Sequence, residues 1–193
     1  LFRSIKTQFL KNILQDSDRL GRLINNILDF EKLETGRVDL NLKLNNLQKT
    51  IKKVFTSISQ LAAKKGVKLI NRNPNELFLV FDEDKIHQVL TNLLSNALKF
   101  CPTETGEIVI DCKFVNEEVI VIIEDNGKGI LEEDFSYIFD KFYQSKNQNT
   151  IKPEGSGLGL AITKQIIEKH NGKIWAEKHQ KNGAKFVFTI PFN

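Results

Sequence analysis

Hydrophobic positions along the chain follow two different periods, and the changes of period divide it into elements. From Leu10 to Leu33 the apolar residues Leu10, Ile13, Leu20, Ile24 and Ile27 stand three, four or seven apart, which draws one stripe along a long helix. Gly36 supplies a stop. Such a stripe needs a cover, and a second copy of the helix or the chain's own core could provide it. The alternation in "RVDLNLKL" (37–44) then predicts an edge strand, and "LQKTIKKVFTSISQLAAKKG" an amphipathic helix closed by Gly66. "VKLI" and "LFLVF" read as short strands around the turn "NRNPNE". A further helix is predicted over about Asp82 to Phe100.

Beyond Phe100, "EIVIDCKFV" and "EVIVIIE" read as two strands joined at Asn116–Glu118, and the second is apolar on both faces, as a central strand would be. A short helix near Leu131–Phe139 leads into the polar stretch "YQSKNQNTIKPEGSG", which has no periodicity. A loop of that length inside a domain suits a lid or binding loop. A helix from Leu158 to His170 and a hairpin of "GKIWAEK" with "AKFVFTIPF" close the chain. Sheet on one side and helices on the other give an α+β fold, a two-layer α/β sandwich behind a helical stalk.

Composition adds limits more than identity. The chain has 193 residues with 28 Lys and Arg against 24 Asp and Glu, enough length for one core without metal or disulfide staples. The net charge of +4 is scattered rather than blocked, so no nucleic-acid partner is expected. Cys101 and Cys112 fit neither a metal spacing nor a disulfide framework, which predicts a reducing, intracellular setting. No run of about 18 apolar residues spans a membrane. The chain opens on Leu1 and holds no methionine. It is therefore expected to be a piece of a longer protein, with any sensor or membrane anchor upstream.

Three stretches carry candidate chemistry. In the helix after Asp84, apolar residues from Ile86 to Leu98 claim one face, while Asn92, Asn96 and Lys99 fall within about 60° of arc on the other. Two amides and an ammonium could hold Mg²⁺ and phosphate, or could form a solvated polar face. "IEDNGKGI" follows the buried strand; Asp125 could accept from a base amino group and Gly127 and Gly129 could admit a ligand, or the stretch could be an ordinary turn. "KPEGSGLGLAI" sets Gly155, Gly157 and Gly159 before a helix, as a phosphate cradle or a tight turn would.

In order, "NLLSNALKF", "EDNGKGI", "FDKFYQ" and "GSGLGLAI" resemble the asparagine, first glycine, phenylalanine and second glycine boxes of sensor histidine kinases. These belong to the ATPase superfamily that also holds DNA gyrase, MutL and the heat-shock chaperone ATPases. The resemblance extends over nearly the whole chain: residues 1–36 look like the second helix of a dimerisation hairpin, and 37–193 like the catalytic ATP-binding domain. It implies that Asn96 ligates Mg²⁺ with Asn92 in support, that Lys99 meets phosphate, and that Phe100 walls the base. Asp125 would read the adenine amino group, with Gly127, Gly129 and Ile130 around the ring. Phe139 and Phe142 would anchor a lid over 143–156. Gly155, Ser156, Gly157, Leu158, Gly159 and Leu160 would cradle the phosphates of ATP.

The resemblance further implies a homodimer through the hairpin and a response regulator as partner. The family's acceptor histidine lies in a motif this sequence lacks; His87, His170 and His179 have the wrong context and are expected to be surface or packing residues. Gyrase-like and chaperone-like members place a glutamate where Asn92 stands, and an amide cannot serve as a general base, which favours a kinase over an ATP hydrolase. The long stripe argues against the anti-sigma-factor kinases, which lack the hairpin. A degenerate scaffold that binds ATP or dimerises without kinase activity is the alternative.

Overall fold

The computed structural model describes residues 2–35, 39–145, 156–178 and 182–192. Helix α1 (Phe2–Glu34) leads into strand β1 (Lys43–Asn46) and helix α2 (Leu47–Lys65). Strands β2 (Lys68–Asn71) and β3 (Phe78–Phe81) precede helix α3 (Glu83–Phe100), and strands β4 (Glu107–Val115) and β5 (Glu118–Asp125) follow it. After a single 3₁₀ turn at Glu132–Asp134 come helix α4 (Gly159–Lys169) and strands β6 (Ile174–Lys178) and β7 (Ala184–Pro191). Five strands make one mixed sheet in the order β2-β4-β5-β7-β6, with β2 parallel to β4 and the other neighbours antiparallel. Helices α2, α3 and α4 cover one face, the expected two-layer α+β sandwich.

Local chemistry starts and stops these helices. Asn46 caps α2 by accepting from the Gln48 and Lys49 N–H groups, and Gly66 ends it at φ 69° in the left-handed region. Asp82 caps α3 through the Lys85 N–H, followed by Glu83 and Asp84 in the favourable first turn. Strand β5 is central, as its double apolar pattern predicts. Val119, Val121 and Ile123 enter the core, whereas Ile120 and Ile122 lie half-buried on the opposite side.

Three expectations need correction. The strand predicted at 37–44 forms only at Lys43–Asn46, because Asn41 N–H is drawn to Asp82 Oδ2 at 2.9 Å and pairing with β3 begins at Lys43↔Phe81; Arg37 and Val38 lie outside the described residues. "VKLI" and "LFLVF" are not partners around their turn: β2 joins the main sheet, while β3 pairs with β1 in a separate two-stranded ribbon. Asn73 secures the divergence by donating to Asp111 and to the Cys112 carbonyl. The short helix near Leu131–Phe139 is one 3₁₀ turn and a series of turns, such as Ile138 N–H to Asp134 O at 2.9 Å. Gly36 lies outside the described residues; α1 ends at Glu34.

Helix α1 answers the question of its cover in two parts. Phe30 and Leu33 are buried in the same core as α2–α4, whereas Leu10, Ile13, Leu20, Ile24 and Ile27 remain exposed. The C-terminal end therefore docks on its own chain, and the stripe above it does not. With 33 residues the helix is about 50 Å long at 1.5 Å per residue.

His170 packs rather than reacts. Its ring is buried at the C-terminal end of α4, where Nε2 accepts from the Asp82 N–H at 3.1 Å and Nδ1 lies 2.8 Å from the Ile166 carbonyl. Since a backbone N–H can only donate, the ring is neutral with its proton on Nδ1. His170 thus ties the end of α4 to the capped start of α3. Burial pushes the imidazole below its ordinary value of 6.5, opposed by the Ile166 carbonyl and the Asp82 carboxylate. His87 is half-buried on α3 beside Thr91, and His179 lies outside the described residues.

The unfolded chain takes up the His170 proton near pH 6.5 while the folded chain resists it, so this contribution to stability is full above that pH and declines below it. Urea unfolding from pH 8 to pH 5 should show the decline, and His170→Gln should lower stability at pH 8 but flatten the acid side of the profile. An unchanged slope in the variant would refute the assignment.

Candidate functional site

Helix α3 carries the first wall of the site. Its apolar residues from Ile86 to Leu98 are buried against the sheet, which turns Asn92, Asn96, Lys99 and Phe100 outward as half-buried side chains. Asn92 Nδ2 donates to the Gly159 carbonyl at 3.2 Å and to Thr163 Oγ1 at 3.4 Å. The amide nitrogen therefore joins α3 to the first turn of α4. Asn96 makes no side-chain hydrogen bond among the described residues. The Lys99 ammonium stands 4.9 Å from the centre of the Phe100 ring, in the last turn of α3.

The second wall is the turn after β5. Asp125 is 5% exposed, and its Oδ1 accepts from the Gly127 N–H at 2.8 Å and the Ala184 N–H at 3.3 Å. A Cβ on Gly127 would lie 2.7 Å from the Phe100 carbonyl oxygen, so this glycine lets the turn press against the end of α3. Gly129 (φ 77°) approaches the Gly183 carbonyl, and a Cβ on Gly183 (φ 123°) would overlap the Asp125 carbonyl. Asn126 braces the turn, accepting from Glu107 N–H and donating to the Thr105 carbonyl, each at 2.8 Å. Ile130 is half-buried against the core.

The third part is the segment running to the polar loop and the start of α4. Phe139 packs inward, edge-on to Phe186 with ring centres 6.4 Å apart, while Phe142 is 64% exposed. Phe142 N–H donates to the Gly157 carbonyl at 3.0 Å, and a Cβ on Gly157 (φ 69°) would lie 2.6 Å from the Phe142 carbonyl carbon. The two roots of the loop are thereby clasped. Ser156 Oγ accepts from the Leu158 N–H at 3.2 Å, and Leu160 is half-buried. Among the described residues no side chain caps α4, and a helix start of this kind presents its first N–H groups and the positive end of its dipole to an anion.

Three of the expected loop residues stand apart from the others. Gly155 and residues 146–155 of the polar loop lie outside the described residues. The Leu158 side chain is 1% exposed and belongs to the core, so only its backbone faces the loop. Around Gly159 a Cβ would meet nothing nearer than Asn92 at 3.8 Å, so its own packing does not require glycine.

Sequence reasoning did not mark Gly183 and Ala184 as part of the site. "KNGAKF" does contain an Asn-Gly turn signal, but the approach to Asp125 is a tertiary contact that periodicity cannot carry. Asn26 of α1 was likewise missed: its Nδ2 donates to Ser156 Oγ at 3.3 Å. Nearby, Glu34 pairs with Lys141 at 2.6 Å, and the same ammonium lies 4.4 Å from the Phe30 ring centre. Gln88 of α3 donates to Asp29 at 3.2 Å.

Residues 81–193, from the last residue of β3 to the end of the chain, match the family described as histidine kinase-, DNA gyrase B- and HSP90-like ATPases. The chain belongs to this family. Within it the likeness is to histidine kinases. The chain is 32% identical over 193 residues to the sensor histidine kinase WalK of Bacillus subtilis (strain 168), covering 98% of this chain and 31% of the relative. It thus spans about a third of that relative's length. The structure of full-length ShkA in complex with AMPPNP superposes with a TM-score of 0.82 at 26% identity, over 96% of this chain and 38% of that one. Histidine kinase ThkA in complex with the response regulator protein TrrA gives 0.74 at 28% identity, over 94% of this chain and 49% of that one. The fold and the family are therefore those of a histidine-kinase ATP-binding domain.

The two described loop glycines should separate on substitution. Gly157→Ala should lower unfolding free energy by about 1–3 kcal/mol, from strain at positive φ and the clash with Phe142. Gly159→Ala should leave it unchanged or raise it by up to about 1 kcal/mol. Chemical denaturation without nucleotide measures both, and equal destabilisation would contradict the assigned packing.

Proposed function

We propose that the chain is the ATP-binding and phosphoryl-transferring region of a two-component sensor histidine kinase. Residues 1–36 would form part of its dimerisation hairpin and residues 37–193 its catalytic domain. The observation that carries the reading is the layout along α3. Its Phe100 end abuts the Asp125 turn, and Asn92, near its middle, abuts the first turn of α4. Eight residue steps separate these two points, about 12 Å along the axis, comparable to the reach of a nucleotide from base to outer phosphates. A base would lie at the Asp125 and Phe100 end, and phosphates at the Asn92, Gly157 and α4 end.

At the base end, Asp125 would take a hydrogen bond from an exocyclic amino group, an acceptor already oriented by two backbone N–H groups. At the phosphate end, the uncapped start of α4 and the backbone around Ser156–Gly159 would hold anionic oxygens, and Lys99 would add its charge by swinging from Phe100. Among the described residues no cluster of three His, Cys, Asp or Glu could hold a metal. The protein ligands for Mg²⁺ would be the amide oxygens of Asn96 and Asn92, with nucleotide phosphates completing the shell. When bound, the metal neutralises the charge on the transferring phosphates.

An amide at position 92 cannot activate water. That supports transfer of the γ-phosphoryl group to a histidine other than this chain's three, for relay to an aspartate of a response regulator. The exposed stripe from Leu10 to Ile27 supports homodimerisation through α1. No described helix is long and apolar enough to cross a membrane. We place the domain on the intracellular side, with any anchor elsewhere in a longer protein.

ATP titration with a fluorescent analogue should show magnesium-dependent binding, and Asp125→Asn should weaken it tenfold or more. Asparagine keeps an oxygen for Gly127 and Ala184, so folding should survive. The wild-type chain should also pass label from γ-labelled ATP to a separately supplied hairpin bearing a histidine motif, without labelling itself. Binding without any transfer would instead favour the scaffold reading. Sedimentation equilibrium tests the dimer: Ile24→Glu should shift any dimer towards monomer, and a monomeric wild type at high concentration would exclude α1 as a self-sufficient interface.

A further inference from the structure

The last turn of α3, which carries Lys99 and Phe100, is held from outside the groove. Cys101 N–H still reaches the Ala97 carbonyl at 2.9 Å, but the next residue is Pro102, which has no N–H to offer the Leu98 carbonyl. Lys65, the final residue of α2, supplies the missing donor. Its ammonium donates to the Leu98 carbonyl at 2.7 Å and to the Lys99 carbonyl at 3.0 Å. A cation here also meets the negative end of the α3 dipole.

Lys65 is itself fixed. Its carbonyl accepts the Glu104 N–H at 2.9 Å, and the following Gly66 turns in the left-handed region so close to Glu104 that a Cβ would lie 2.7 Å from its Cα. The clamp thus locks the ends of α2 and α3 to the loop between α3 and β4. On its other side the turn it holds touches the Asp125 loop, where the Phe100 carbonyl leaves room only for Gly127. A small shift at Leu98–Phe100 would therefore alter the wall of the base end directly.

We infer that Lys65 is a positioning residue for nucleotide binding, setting Lys99 and Phe100 against the Asp125 turn by bonding the Leu98 and Lys99 carbonyls at the end of α3. This inference rests on the nucleotide reading of the groove. Lys65 lies outside all four sequence boxes and reaches the ligand only through the backbone it holds.

The test compares Lys65→Met and Lys65→Arg with the whole wild-type chain, measuring dissociation constants for ATP and ADP well below the melting temperature. Methionine keeps the apolar stem and loses the donors; it should weaken both nucleotides about tenfold while melting stays cooperative. Arginine should restore affinity to within about threefold. A double-mutant cycle with Phe100→Ala should be non-additive, since both changes act on the same turn. If Lys65→Met does not fold, Lys65→Gln replaces it under the same criteria. Wild-type affinity in the donor-deficient variant, or strictly additive losses in the cycle, would overturn the inference. A wild-type chain that binds no ATP would instead overturn the nucleotide reading itself.

Discussion

Seven residues of α3 between Ile86 and Leu98 are buried at helical spacing, and this fixes the rotation of the helix about its axis. Everything else in the site depends on that orientation. With the apolar face committed to the sheet, Asn92, Asn96 and Lys99 have only one side left to occupy. The helix acts as a ruler with the Asp125 turn at its C-terminal end and the start of α4 beside Asn92, near its middle. His170 and the Asp82 cap hold the far end of the ruler to α4. Core packing and site geometry are two descriptions of a single constraint.

Backbone strain collects where the chain must crowd. Gly157, Gly129 and Gly183 have positive φ, and each faces backbone atoms of another segment closely enough to exclude a side chain. Phe142 also has positive φ, at 61°, opposite Gly157. A non-glycine residue in that region costs on the order of 1–3 kcal/mol, so the surrounding packing must hold it there. The clasp between Phe142 and Gly157 is thus a rigid base from which the polar loop departs.

The parts of the fold that were legible in the sequence are those set by near neighbours. Helices α2 and α3 follow from amphipathic period and capping residues, α4 from its period alone, and strands β4 to β7 from alternation and turns. The pairing of β2 and β3 was not legible, because their separation into two sheets rests on Asn73 reaching Asp111 and Cys112, contacts some 40 residues apart. The 3₁₀ turn at Glu132–Asp134 failed as a helix for a related reason, since its residues answer to the neighbouring backbone and to the core below. In the site, residue identities were readable from type and spacing, but their division of labour was not. Asn92 spends its amide nitrogen on joining two helices, Leu158 faces inward, and Gly159 has room for a methyl group. Lys65 and Gly183 left no local trace because their partners are distant carbonyls.

Helix α1 meets the polar loop at both of its roots, holding Ser156 through Asn26 and Lys141 through Glu34 and Phe30. These three α1 residues are spaced by four, so they share one face of a rod about 50 Å long. Rolling the rod by even one residue step, 100°, would carry all three contacts off the domain together. One face of the stalk and the two clasped roots of the loop are accordingly a single contact surface, which the chain makes or loses as a unit.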